Sequence, residues 1–209
     1  MVGEGVLHEC LNDPQVEQIL LLQRKPSGMV HPKLKEVVHE DFFDLAAVED
    51  QLSGYNACFF CLGVSSVGMK EPEYTRLTHT LTLNVASTLV KLNPEMTFCY
   101  ISGAGTDSSE KGRPMWARVK GTTENDLFAL PFKKVFAFRP GFIRPIKGLK
   151  HTHSFYRYIN WLFPAGRFIA PGAFAKLEEI GTAMIRTVNL KEDRKVLEGK
   201  DIIKLAARI

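Results

Sequence analysis

No run of apolar residues in this 209-residue chain approaches the roughly 18–20 positions that a membrane-spanning helix needs. The first residues show no basic stretch followed by an apolar one, so no secretory signal is expected. Cysteine is scarce. Cys10, Cys58, Cys61 and Cys99 lack the spacing of a disulfide scaffold and read as reduced thiols of a cytoplasmic protein. Charge of one sign is concentrated nowhere: the net +4 forms neither a basic tail nor a dense stripe, which argues against a nucleic-acid partner. Metal-ligand clusters are wanting too. Cys58-x-x-Cys61 lies inside a continuous apolar run, where residues three apart on a strand point to opposite faces, and no second pair completes a zinc site. His151-x-His153 has no acid or cysteine beside it.

What is present is an ordinary globular composition, 45% apolar and 24% charged, of a length expected to form one domain over residues 1–209. Residues 3–12 read as a helix with Val6, Leu7, Cys10 and Leu11 on one side, ended by Asn12-Asp13-Pro14. "QILLLQRKP" (18–26) is an apolar run suited to a strand buried on both faces of a parallel sheet. Residues 34–45 hold another short strand, after which Asp44 is placed to cap a helix through Leu52, stopped at Ser53-Gly54. "NACFFCLG" (56–63) is a third strand. Leu77, Leu81, Val85, Leu89 and Leu92 carry helical spacing through residues 71–92.

The strand "MTFCYISGAG" (96–105) runs into a small-residue loop. A helix over 114–130 starts with a suitably early proline, and "KVFAFRPGFI" (134–143) is the next strand. Residues 144–175 are irregular, and their aromatic part, 155–174, reads as a lid over the substrate side, a partner contact or a membrane-surface element. A helix over 176–190, a short apolar segment at Val196-Leu197 and a helical end, "DIIKLAAR", complete the chain. Strands alternating with helices at this spacing predict an α/β fold, a doubly wound parallel sheet with helices on both faces.

The punctuation of these elements resembles the short-chain dehydrogenase/reductase superfamily, in its atypical NAD(P)-binding, epimerase/dehydratase-like branch, over residues 1–145 and more loosely beyond. Gly3 matches the last glycine of a Gly-x-x-Gly-x-x-Gly dinucleotide loop. Arg24 and Lys25 follow the second strand of that pattern, where the adenosine ribose is held. Asp41-Phe42 follows the third, beside the adenine. Leu62-Gly63 ends the fourth, beneath the cofactor. Ser102-Gly103-Ala104 ends the fifth, Trp116-x-x-x-Lys120 lies on the next helix, and Arg139-Pro140-Gly141 follows the sixth strand.

The resemblance implies a nucleotide cofactor, an unidentified small-molecule substrate and a possible homodimer through the helices at 71–92 and 114–130. It assigns catalytic positions to Ser102, Lys120 and Trp116. It assigns cofactor contacts to Gly3, Arg24, Lys25, Asp41, Phe42, Leu62, Gly63, Lys120, Pro140 and Gly141. Ser102 either bonds a substrate carbonyl or caps its own turn. Lys120 either holds the nicotinamide ribose or is a solvated helix lysine. Active relatives carry tyrosine where Trp116 stands, and an indole N–H donates a hydrogen bond but shuttles no proton at working pH. The indole stacks on a ligand or packs in the core. Tyr100, Tyr156 and Tyr158 are weak substitutes, none having a lysine four residues on.

No acid accompanies Arg24 and Lys25 to meet a ribose 2′-hydroxyl. An arginine there suits a 2′-phosphate and tilts the cofactor from NAD toward NADP, unless the two residues are simply a solvated loop. As a non-catalytic alternative, the fold serves as a scaffold for partner binding.

The glycine loop is only half present. Met1 would be an internal methionine of a longer Gly-x-x-Gly-Met-Val-Gly loop, and the first, central strand of the pattern has no counterpart in these residues. Its two neighbours would be 18–24 and 56–62. Unpaired buried backbone groups cost about 1–3 kcal/mol each, against a typical total stability of ~5–15 kcal/mol. The 209 residues alone are therefore expected to be unstable or rearranged, with cofactor binding in doubt, unless those two strands pair directly or a partner supplies a strand.

Overall fold

The computed structural model describes residues 1–144 and 163–208. Its strands are β1 (Ile19–Gln23), β2 (Leu34–Val38), β3 (Ala57–Phe60), β4 (Thr97–Ile101), β5 (Lys134–Arg139), β6 (Phe142–Arg144), β7 (Phe174–Lys176) and β8 (Val196–Glu198). Its α-helices are α1 (Val2–Asn12), α2 (Glu71–Thr75), α3 (Leu81–Leu92), α4 (Met115–Ala129), α5 (Phe163–Ile169), α6 (Leu177–Asn189) and α7 (Gly199–Ala206). The expected α/β architecture is present, with every strand pairing parallel.

The sheet is interrupted. β1 pairs only with β2, while β3, β4, β5 and β8 form a separate four-stranded sheet in that order. β6 and β7 form a small pair beyond β5. Residues 19–23 and 57–60 do not pair with each other. This corrects one feature of the sequence reading. β1 is not buried on both faces; all five of its residues are half-buried, because one edge lacks a neighbour.

Two apolar clusters cover the sheet, and strand alternation sorts residues between them. Cys99, Phe136, Phe138 and Leu197 face Val6 and Cys10 of α1, Ile180 and Met184 of α6, and Ile202 of α7. Phe98, Tyr100, Val135 and Phe60 face Val85 and Leu89 of α3, Leu127 of α4 and Val48. Cys58 packs against the second cluster and Cys61 against the first, as their spacing requires, and all four cysteines are free thiols.

Three local differences from the sequence reading have simple causes. Residues 71–92 are helical throughout, but a π-helical turn at Arg76–Thr80 joins α2 to α3. Ala46–Gln51 is a 3-10 helix, and Asp44 Oδ1 accepts the Ala46 amide at 2.9 Å as a local turn. The stretch expected to be irregular contains α5 and β7 in its described part. Among the described residues no helix is long and apolar enough to cross a membrane.

Candidate functional site

In a parallel sheet the loops that follow the strands gather along one edge, where ligands of open α/β folds bind. Here Gly63 follows β3, Ser102–Ala104 follows β4 and Pro140–Gly141 follows β5. The latter two loops are tied together: the amides of Ser102 and Ala104 donate to the carbonyls of Phe138 and Pro140, each at 2.9 Å. A shallow cleft of ≈ 260 Å³ lined by Ala104, Arg139, Ala173 and Lys200 opens beside them.

Ser102 is buried, 5% exposed. Its hydroxyl donates to the Phe138 carbonyl at 3.2 Å, which satisfies it within the sheet. Lys120, on α4, reaches the same loop and donates from Nζ to the Ser102 carbonyl. Burial of the ammonium pushes its pKa down to about 8, partly offset by Glu124. Trp116, one turn earlier, lies against the loop, for a Cβ on Gly105 would sit 3.3 Å from the indole ring. The structure therefore brings Ser102, Trp116 and Lys120 to one loop, with both polar groups bonded to main-chain carbonyls.

Tyr100 is 2% exposed in the second core cluster. Burial raises its phenol pKa further, with Tyr74 and Glu124 adding to the shift, so it is a poor proton relay. Tyr156, Tyr158, His151 and His153 lie outside the described residues.

Gly3 stands at the start of α1 against the end of β3, where an added Cβ would lie 3.3 Å from that of Cys61. The amino terminus is close enough to lower the Cys61 thiol pKa slightly, against a burial effect that pushes it up to about 12. Arg24 and Lys25 are exposed just past β1, and neither has an ion-pair partner among the described residues. Ser27 donates its amide to Glu36 at 2.7 Å and Gln23 bonds the same oxygen, which fixes the loop that carries the two cations.

Glu36 is thus an acid beside the Arg24–Lys25 loop that the order of residues concealed, and its Oε1 is already engaged. Asp41 is exposed and accepts the Phe43 amide at 2.8 Å. Phe42 is 6% exposed and packed in the second core cluster. Leu62 is half-buried against that cluster, and Gly63 has open space where a Cβ would project. Gly141 is set by packing, since a Cβ there would lie 2.5 Å from the Ala173 carbonyl oxygen.

The exposed Arg24 and Lys25, without ion-pair partners among the described residues, and the open space over Gly63 fit the phosphates of a dinucleotide.

Sequence reasoning missed the buried ion pair beneath the site. Glu124, on α4 and fully buried, binds Arg139 in bidentate fashion. Arg139 also donates to Ser108 Oγ at 2.6 Å and reaches Glu198 at 3.4 Å. One guanidinium thus ties α4, the loop after β4 and the end of β8 together. The available signal was the position of Glu124, four residues after Lys120 on the same helix face.

The architecture closely follows solved sugar-nucleotide epimerases. The ADP-L-glycero-D-manno-heptose-6-epimerase of Helicobacter pylori aligns over 99% of this chain and 78% of its own, with a TM-score of 0.65 and 12% identity. UDP-glucose 4-epimerase of Thermotoga maritima gives 99%, 78%, 0.66 and 12%. The fold is that of the short-chain dehydrogenase-type epimerases. The Bordetella bronchiseptica enzyme WbmH, solved with NAD+, matches 94% of this chain and 70% of its own at a TM-score of 0.64 and 15% identity. No family model matches the sequence, and no curated protein matches it. At these identities the likeness establishes the Rossmann-like epimerase fold.

Proposed function

We propose that the protein binds a nicotinamide dinucleotide at the carboxyl edge of its sheet, with NADP preferred to NAD, and that its proton relay departs from that of short-chain dehydrogenases. The observation that carries this reading is the convergence of Ser102, Trp116 and Lys120 on the loop after β4, at the edge where such folds take ligands. The preference for a 2′-phosphate rests on Arg24 and Lys25, exposed and without ion-pair partners among the described residues. A bound nicotinamide would supply hydride transfer. Lys120 would hold its ribose and Trp116 would offer a donor N–H or a stacking face, so that any reductase or epimerase step needs a proton donor other than residue 116.

A second reading, a non-catalytic scaffold, draws support from the same bonds: the Ser102 hydroxyl and the Lys120 ammonium are both satisfied by main-chain carbonyls.

Fluorescence titration with NADPH and NADH separates the two. Saturable binding, tighter for NADPH and weakened about tenfold or more in Lys120→Ala, a loss of ~1.4 kcal/mol, supports the cofactor reading. Lack of saturation with either nucleotide supports the scaffold. Where binding is found, hydride transfer appearing only in Trp116→Tyr would show that the natural site is not a conventional reductase.

A further inference from the structure

The connection from β1 to β2 is a surface segment with little of its own main chain tied down. Residues 24–31 form neither helix nor strand, and among the described residues no main-chain to main-chain hydrogen bond involves residues 24–30. Arg24, Lys25, Pro26, Gly28, Met29 and Val30 are exposed, and Ser27 is half-buried. What holds the segment is Ser27. Its amide donates to Glu36 Oε1 at 2.7 Å, and its Oγ accepts the Met29 amide at 3.0 Å. The Ser27 amide first, and then its hydroxyl and the Gln23 side chain, keep the Glu36 carboxyl below the usual carboxylate range. Gly28 follows at φ +70 with nothing within 4 Å of the position of a Cβ. The chain thus turns directly after Ser27 and places no side chain over the hydroxyl.

The charge pattern around that hydroxyl is specific. Arg24 and Lys25 stand three and two positions before Ser27, and no other serine or threonine of the chain has a lysine or arginine at both of those positions. Neither cation has an ion-pair partner among the described residues. Kinases select acceptor hydroxyls on exposed, irregular chain by the charges beside them, and a kinase with an acidic groove selects cations on the amino-terminal side.

We propose that Ser27 is a phosphoacceptor for a kinase with an acidic substrate groove, and that its phosphate detaches the loop from Glu36 and draws in Arg24 and Lys25. ATP is the co-reactant. The Ser27 Oγ–P bond forms as the bond from the γ-phosphorus to the β–γ bridging oxygen breaks, ADP leaves with that oxygen, and the hydroxyl proton passes to solvent through the kinase. A phosphoserine carries a charge of about −1.5 to −2 and no hydroxyl donor. Set on an oxygen that now bonds the Glu36 carboxylate, it repels that carboxylate, while two unneutralised cations lie within three residues of it and form charge-assisted hydrogen bonds to phosphate oxygens. A consequence for the cofactor rests on the reading given above, in which Arg24 and Lys25 favour a 2′-phosphate: the modified loop would reject NADP and leave NAD, which has no such group, unaffected.

The test treats the folded 209-residue protein with ATP and the catalytic subunit of a cAMP-dependent protein kinase, which reads cations before serine. Peptide mass spectrometry is expected to find one phosphate, on Ser27, and none on Ser27→Ala. Carboxyl ¹³C NMR is expected to show Glu36 titrating below the ordinary glutamate value of about 4.3 in the unmodified protein and above it after phosphorylation. An unmodified Ser27, phosphate acquired there only after the protein has been unfolded, or a Glu36 titration that phosphorylation does not move would each overturn the proposal. Nucleotide titration forms a separate arm. Phosphorylation is expected to weaken NADPH binding about tenfold or more, the scale of one hydrogen bond to a charged group, and NADH binding by less than about twofold. NADPH binding left intact by phosphorylation would overturn the proposal, whereas failure of both nucleotides to bind the unmodified protein would overturn the cofactor reading and leave the mass and Glu36 readouts to decide the fate of Ser27.

Discussion

Lys120 is the residue at which charge and structure oppose each other most directly. Its Nζ bonds the Ser102 carbonyl, while burial lowers its pKa to about 8 from the ordinary lysine value of about 10.4. A depressed lysine pKa means that the unfolded chain binds more protons than the folded one between these two values. Stability contributed at this site therefore rises with pH across that window, and the full penalty of burying the ammonium is felt below it. Lysine Cε NMR is expected to show one side chain titrating near pH 8, absent in Lys120→Met. Wild-type stability should gain on that variant as pH rises from about 8 to 10.4. A midpoint at the usual lysine value would overturn the assignment. The Trp116/Lys120 spacing was legible in the sequence because helical periodicity alone sets it. The carbonyl that Lys120 meets was not, because it comes from a loop whose path depends on the Arg139–Glu124 pair.

Between elements, glycine decides how closely the layers approach. On α4, a Cβ at Gly121 would lie 1.8 Å from the Asp107 carbonyl oxygen, and on α1 one at Gly5 would lie 2.3 Å from the Leu177 side chain. Leu177 is fully buried and can yield only by repacking, whereas the Asp107 main chain must move as a whole. Gly121→Ala is therefore expected to cost about 1–3 kcal/mol and Gly5→Ala to fall at the lower end of that range, measured as shifts of the urea midpoint. Gly63→Ala, with nothing near its Cβ, should stay within about 0.5 kcal/mol of wild type. The sequence pointed to Gly3 through its place in a familiar loop and passed over Gly5, whose requirement arises from a helix more than 170 positions away. Helix and strand order was legible because apolar period and turn residues are local signals. The π-turn at Arg76–Thr80 and the half-burial of β1 were not, since both depend on what packs alongside.

For the whole molecule, the interrupted sheet predicts uneven stability. The β1–β2 pair has no main-chain ladder to the β3–β4–β5–β8 sheet. It is held by Leu20, Leu22 and Val37 in the second cluster, by Asn84 bonding Phe42 and Phe43, and by Asn93 bonding Leu52 and Gly54 beyond it. Side-chain packing with few cross-links allows a segment to open without the rest. The four-stranded sheet, by contrast, keeps Phe98, Cys99 and Phe138 wholly buried and bonded on both sides of β4 and β5. Native-state hydrogen exchange in low denaturant is therefore expected to show residues 19–23 and 34–38 opening together, about tenfold or more less protected than β4 and β5. Exchange of both groups along a single global unfolding isotherm would mean that packing alone couples the halves as tightly as a continuous ladder would.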